Sequence, residues 1–155
     1  MKLKLNREYA ARHLFVTLLM LALAGWFGYD GFVGYPNTPA IDLYRSIEKS
    51  EPPKWLDLEA FKRQKTKTQY GFTLLSLMAS LIVGFNLNAS RQFNFEFDEA
   101  GFVYRGRRYR YDEIKKIDRS QWEKKGIIKV DGIKLDSWHH VGVKEFVAKL
   151  EGLGA

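Results

Sequence analysis

The sequence predicts an α+β chain: a two-helix transmembrane hairpin followed by a small antiparallel β-sheet domain capped by a C-terminal helix. Three observations predict it. Two apolar blocks, residues 14–35 and 70–87, carry a single charge between them, Asp30. From Arg91 onward the hydrophobic pattern changes from continuous runs to strand-like alternation. The end returns to helical spacing, with Val143, Phe146, Val147 and Leu150 at i, i+3, i+4 and i+7. The expected organisation is a basic N-terminal tail (1–13), a first span (14–35), an extramembrane connection with two short helices (36–69), a second span (70–88) and a β domain with its helix (91–155).

Composition narrows the class. The 155 residues hold 25 Lys+Arg against 18 Asp+Glu, for a formal net charge of +7. With no cysteine, disulfide frameworks and thiolate metal sites are excluded. A hydrophobic share of 46% is too large for a disordered chain. The mean hydropathy of −0.31 averages two apolar blocks with a very polar remainder.

A helix over the 22 residues 14–35 rises about 33 Å, enough for a hydrocarbon core of about 30 Å. Asp30 lies near its C-terminal end, within reach of headgroups, and Trp26, Tyr29 and Tyr35 form an interfacial aromatic belt there. Ala22-Leu23-Ala24 resembles a signal-peptide cleavage site. Apolar character continues past it through Trp26, Phe27, Phe32 and Val33, so an uncleaved anchor is expected. The second block has 18 residues without charge, a short span with little tilt, and Asn86, Asn88 and Arg91 mark the return to water. Ser76, Ser80 and Gly84 repeat at four-residue spacing, as do Ala24 and Gly28. These five form a candidate helix-packing face, although small residues are also ordinary constituents of membrane helices. Neither span carries a row of ionisable groups, so transport is not expected.

In the connection, Thr38-Pro39 reads as a helix start with Thr38 as N-cap, and Leu43, Tyr44 and Ile47 recur until Ser50-Glu51-Pro52-Pro53 breaks the run. Trp55, Leu58 and Phe61 then share one face of a helix that continues through Lys62, Arg63, Lys65 and Lys67 into the second span. The segment suits either an interfacial helix or a cap packed on itself; the narrow apolar face favours the cap. Lys and Arg number four in the tail, seven in the connection and fourteen beyond. The tallies near the spans are comparable and do not decide orientation; from the basic flank of the first helix, both termini are expected in the cytoplasm.

In the β domain, Phe93, Phe95 and Phe97 alternate with polar residues, Asp98-Glu99-Ala100-Gly101 turns, and strands follow at 102–104 and 107–111. Ile114 and Ile117 lie in a further strand reaching towards Trp122. Asp131-Gly132 between Ile127-Ile128-Lys129-Val130 and Ile133-Lys134-Leu135-Asp136 is a hairpin signature. About six strands are expected. Glu145 and Lys149 make an i, i+4 pair, and Gly152 suits the helix stop.

Phe97-Asp98-Glu99-Ala100-Gly101-Phe102, Tyr109-Arg110-Tyr111-Asp112-Glu113-Ile114, Trp122 and the closing helix occur in an order that resembles bacterial membrane-anchored pleckstrin-homology-like (PH-like) domain proteins. The resemblance covers about 65 residues and implies a binding or assembly module in the bacterial inner membrane, not an enzyme.

The chemistry-bearing residues are few. His139-His140 point to opposite faces of an extended segment with only Asp136 nearby, so a solvated connection is expected rather than a metal site. There is no nucleophile elbow and no glycine-rich phosphate cradle, and Glu96, Asp98 and Glu99 are ordinary turn acids. No catalytic residue, cofactor or metal is expected. Arg105, Arg107, Arg108 and Arg110 form a candidate phosphate- or partner-binding patch, unless Asp112, Glu113 and Glu99 balance them in a solvated hairpin. The expected partners are membrane lipid and a protein partner or second copy, with no nucleic acid and no identified small-molecule substrate. Three functions fit: a non-catalytic assembly or scaffolding module, an anionic-lipid surface sensor, or an accessory subunit of a membrane enzyme complex.

Overall fold

Asn6 starts the first helix: its Oδ1 accepts the Glu8 backbone N–H at 2.9 Å. Helix α1 (Arg7–Tyr29) continues through a wider π turn (Asp30–Gly34) into the short α2 (Tyr35–Asn37). In this computed structural model, which describes residues 1–152, the chain forms two units. One is Leu14–Phe85; the other combines Met1–His13 with the chain from Asn86 onward.

In the Leu14–Phe85 unit, Thr38 does not cap the next helix as its spacing suggests. Its hydroxyl donates to the Gly34 carbonyl at 2.8 Å and so closes the preceding helix. Lys62 Nζ donates to the Pro36 and Thr38 carbonyls at 2.9 and 2.8 Å, satisfying acceptors left at that helix end. Helix α3 (Ala40–Glu48) therefore begins after Pro39 and ends on Lys49, which is left-handed at φ 56°. Helix α4 (Leu58–Arg91) starts at Asp57, whose Oδ1 accepts the Ala60 N–H at 3.0 Å. Trp55 lies before this helix and is 83% exposed, so the expected three-residue face reduces to Leu58 and Phe61. Phe61 packs on Tyr44 at 5.0 Å, and Leu43, next to Tyr44 in α3, is buried.

Helices α1 and α4 run antiparallel in a constant register. Gly84 faces Thr17, Gly28 faces Thr73 and Gly31 faces Tyr70, so residue numbers of neighbours sum to 101. Ala24, Ser76 and Ser80 are buried along the same seam. Both helices are long and apolar enough to cross a membrane, and only 6% and 17% of their apolar windows are buried.

The other unit is built around three small antiparallel sheets. Strands β2 (Phe95–Phe97), β3 (Gly101–Tyr104) and β4 (Arg107–Arg110) form one, in that order. A 3-10 turn (Tyr111–Glu113) leads to β5 (Ile117–Gln121), and a short α5 (Trp122–Lys125) follows it. Strands β6 (Ile127–Val130) and β7 (Ile133–Asp136) complete the second sheet, in the order β5-β6-β7. Asp131 and Gly132 sit at φ 46° and 83°, the positive values the hairpin turn needs.

The third sheet corrects the reading of the N-terminus. Residues 1–13 are not a free basic tail: β1 (Lys4–Leu5) pairs antiparallel with β8 (His140–Val141), and Lys2 bridges Glu96. Leu3 is buried in the core, and its N–H donates to the Phe95 carbonyl at 2.9 Å. Among the described residues, eight strands thus replace the expected six or so; Phe93 and Ile114 lie outside them, and Trp122 opens α5. Helix α6 (Val143–Gly152) closes the core. Phe146 meets Phe95, Phe97 and Phe102 edge-on at 5.0, 5.3 and 5.7 Å. Lys149 pairs with Glu99 in the β2–β3 turn rather than with Glu145.

Gly101 is a steric requirement. A Cβ there would lie 2.0 Å from the Tyr109 carbonyl oxygen on the paired strand. Gly101→Ala should therefore separate β3 from β4 and destabilise this unit by about 1–3 kcal/mol or more, measured by denaturant titration.

Candidate functional site

Two surfaces of the β-containing unit bear the chemistry. The first is the β3–β4 hairpin. Its turn uses Arg105 at φ 50° and Gly106 at φ 79°, and pairing runs from Tyr104↔Arg107 at the turn to Gly101↔Arg110 at the far end. The four arginines are all exposed but do not form one cluster. Arg110 makes a two-bond pair with Asp112, at 3.1 and 2.8 Å. Arg108 donates to Asp98 at 2.7 Å. Asp98 also accepts the Ala100 and Gly101 N–H groups at 2.8 and 3.1 Å; the Ala100 bond first, then Arg108, hold its carboxyl below the usual range.

Arg105 and Arg107 instead lie over the rings of Tyr104 and Tyr109, at 5.3 and 5.2 Å. Beside Arg107 an open cleft of about 620 Å³ brings in Lys115 and Lys116, with Glu113 and Asp131. Asp131 is occupied by the backbone N–H groups of Lys115 and Lys116, at 3.1 and 2.9 Å. The basic surface of this cleft is therefore Arg107 with Lys115 and Lys116, and Arg105 stands exposed at the hairpin turn. The two lysines escape a sequence reading because a turn, not a strand, carries them next to Arg107.

The second surface is a cleft of about 430 Å³. The chain has three histidines, and all three line it: His13 from α1, His139, and His140 from β8. Tyr9, almost fully buried, stands between them, its ring 3.9 Å from His13 and 4.3 Å from His139. His140 is only 6% exposed, packs on Phe93 at 4.6 Å and contacts the Ser90 carbonyl through Nε2 at 3.0 Å. The carbonyl can only accept, so His140 carries its proton on Nε2. Asp136 lies 3.8 Å from His139 and 3.9 Å from Lys134. The solvated connection expected at His139-His140 is thus replaced by a buried His140 tilted against Phe93 and a half-buried His139 tilted against Tyr9. The reason is β1, whose pairing with β8 encloses His140.

The cleft is not arranged as a nucleophilic centre. Ser90 Oγ contacts the Tyr9 hydroxyl at 3.4 Å, and His140 meets the Ser90 carbonyl rather than its hydroxyl. Among the described residues, no three His, Cys, Asp or Glu side chains are placed to hold a metal ion. Comparison with family models, curated proteins and solved structures returns no match.

Burial lowers the pKa of both His139 and His140 below the ordinary 6.5; for His139, Asp136 opposes the shift while His140, Lys134 and His13 add to it. The unfolded chain thus binds more protons than the folded one once pH falls below about 6.5, so stability is complete above that value and declines as pH drops through the lowered folded values. The melting midpoint should be lower at pH 5.5 than at pH 7.5. His140→Gln should flatten that dependence; an unchanged slope would contradict the burial argument.

Proposed function

We propose that this chain is a non-catalytic integral membrane protein whose two apolar helices anchor a PH-like β unit used for assembly or partner binding. One observation carries the reading: Phe15, Leu18, Trp26, Leu81 and Phe85 are each more than half exposed. Water does not tolerate a continuous apolar surface of that kind, and a core helix of a soluble protein would have buried it. The shared register supports the same reading. Residues 14–31 lie opposite 70–87, two 18-residue stretches about 27 Å long.

The N-terminal strand supports an uncleaved anchor, because removal of residues 1–24 would strip Leu3 and Tyr9 from a folded core. It also supports an even number of crossings. Residues 1–13 and the chain from Asn86 belong to one unit, which favours both lying on one side of the membrane. Lys2, Lys4, Arg7 and Arg12 favour the cytoplasmic side. The two three-stranded sheets closed by α6 favour a PH-like arrangement.

For assembly, extraction in a mild neutral detergent followed by native mass spectrometry should give a species heavier than one chain. A lone monomer at all concentrations contradicts the reading. The exposed Arg105, Arg107, Lys115 and Lys116 favour a second reading, contact with an anionic surface, at about 1 kcal/mol per basic residue. Full-length protein in neutral nanodiscs should then bind acidic vesicles. The quadruple glutamine variant of these residues should lose most of that binding, whereas Arg108→Gln with Arg110→Gln should retain it.

A further inference from the structure

The histidine cleft has a charge imbalance that its own residues cannot correct. Helix α1 contributes Tyr9 and His13, α4 contributes Asn86, Ala89 and Ser90, β7 contributes Lys134 and Asp136, and His139 and His140 close the edge, with Phe93 behind them. Arg12, the other cation on that turn of α1, is directed over the Trp138 ring at 5.2 Å. With neutral imidazoles the lining balances, Lys134 against Asp136. Each proton added to an imidazole creates a positive charge for which no second carboxylate exists among the lining residues. Asp136 is already shared at 3.8 and 3.9 Å between His139 and Lys134. An anion from outside would supply the negative charge that the lining lacks when His139 and His140 are both protonated.

The geometry points to this cleft as a binding site for a phosphate group, taken up together with protons on the histidines. The natural source is the headgroup of an acidic lipid, which rests on the reading of the helices as membrane spans. In the sequence His13 directly precedes the first apolar block, and Asn86 and Ala89 lie at the end of the second. His13, Asn86 and Ala89 thus adjoin the ends of the two apolar blocks in the chain. Phosphate suits the donors: it accepts from Lys134 as a point charge, from imidazolium N–H groups, and from the Asn86 amide. A carboxylate ligand would present fewer acceptor oxygens to the same set. Phosphate binding stabilises the imidazolium form of a histidine it contacts, and for His139 and His140 it opposes the cost of burial.

Because all three histidines line the cleft, their imidazole signals report on it without interference. The test is a pH titration of full-length protein, ¹⁵N-labelled at histidine, by NMR in neutral detergent micelles or phosphatidylcholine nanodiscs. One arm adds inorganic phosphate with sodium chloride of equal ionic strength as control; the other replaces part of the phosphatidylcholine with phosphatidate. The titration midpoint of His139, held down by burial, is expected to rise by at least about half a pH unit. A rise in both arms establishes a general phosphate site, and a rise with phosphatidate alone establishes a lipid headgroup site. No rise in either overturns the proposal. Lys134→Gln, at a half-exposed side chain that does not support the core, should remove the rise and leave the melting midpoint unchanged. A full rise in that variant places the anion elsewhere and also overturns it. The phosphate arm needs no bilayer, so its outcome stands apart from whether the helices span one.

Discussion

Leu3→Asp should abolish the cooperative thermal transition of the β-containing unit. Leu3 is 3% exposed and packs among core residues that begin 92 positions later, at Phe95. Truncation to alanine alone would cost about 2–5 kcal/mol. Aspartate adds an unpaired buried carboxylate, which must either take a proton or open the core. Small domains hold only about 5–15 kcal/mol in total, so the expected outcome is an unfolded unit. Lys4→Gln, one residue along on the exposed side, should change stability by less than about 0.5 kcal/mol. Circular dichroism of the full chain in neutral detergent separates the two outcomes: α-helical signal from α1 and α4 persists in Leu3→Asp while the β contribution and its transition disappear. A normal transition in Leu3→Asp would show that the N-terminal strand is not part of the folded unit.

Phe146→Ala should destabilise the same unit by about 3–5 kcal/mol. The ring is fully buried and meets three other phenylalanines edge-on, and its removal leaves a void that fixed sheets on both sides cannot close. Phe146→Leu should cost less, because most of the volume remains. Denaturant titration followed by tryptophan fluorescence reads the difference. A cost below about 1 kcal/mol for the alanine variant would mean that α6 does not seal the core.

Much of this architecture is legible in the residues. The 3.6-residue period of Val143, Phe146, Val147 and Leu150 marks the face of α6 that is buried, and Asp131-Gly132 marks a turn through its need for positive φ. Of the five small residues of the helix pair, Ala24, Ser76 and Ser80 are buried, and Gly28 and Gly84 face Thr73 and Thr17. What escapes is non-local. Lys2-Leu3-Lys4-Leu5 alternates for only four residues, too few to announce a strand, and the β8 partner of Lys4, Val141, lies 137 positions away. Once that pairing is missed, His139-His140 reads as solvated and His13 as part of a flank. The arginine hairpin is misread for a related reason. Sequence proximity groups Arg108 and Arg110 with Arg105 and Arg107, but alternation in β4 sends the former pair towards Asp98 and Asp112. The basic surface is completed by Lys115 and Lys116, which no local pattern joins to the hairpin.

The central claim is that lipid surrounds residues 14–31 and 70–87. Membranes from cells expressing the full chain, washed in alkaline carbonate and then floated on a density gradient, test it most directly. The chain should rise with the lipid and leave it only when detergent is added; its release into the carbonate supernatant as a folded monomer would contradict the account.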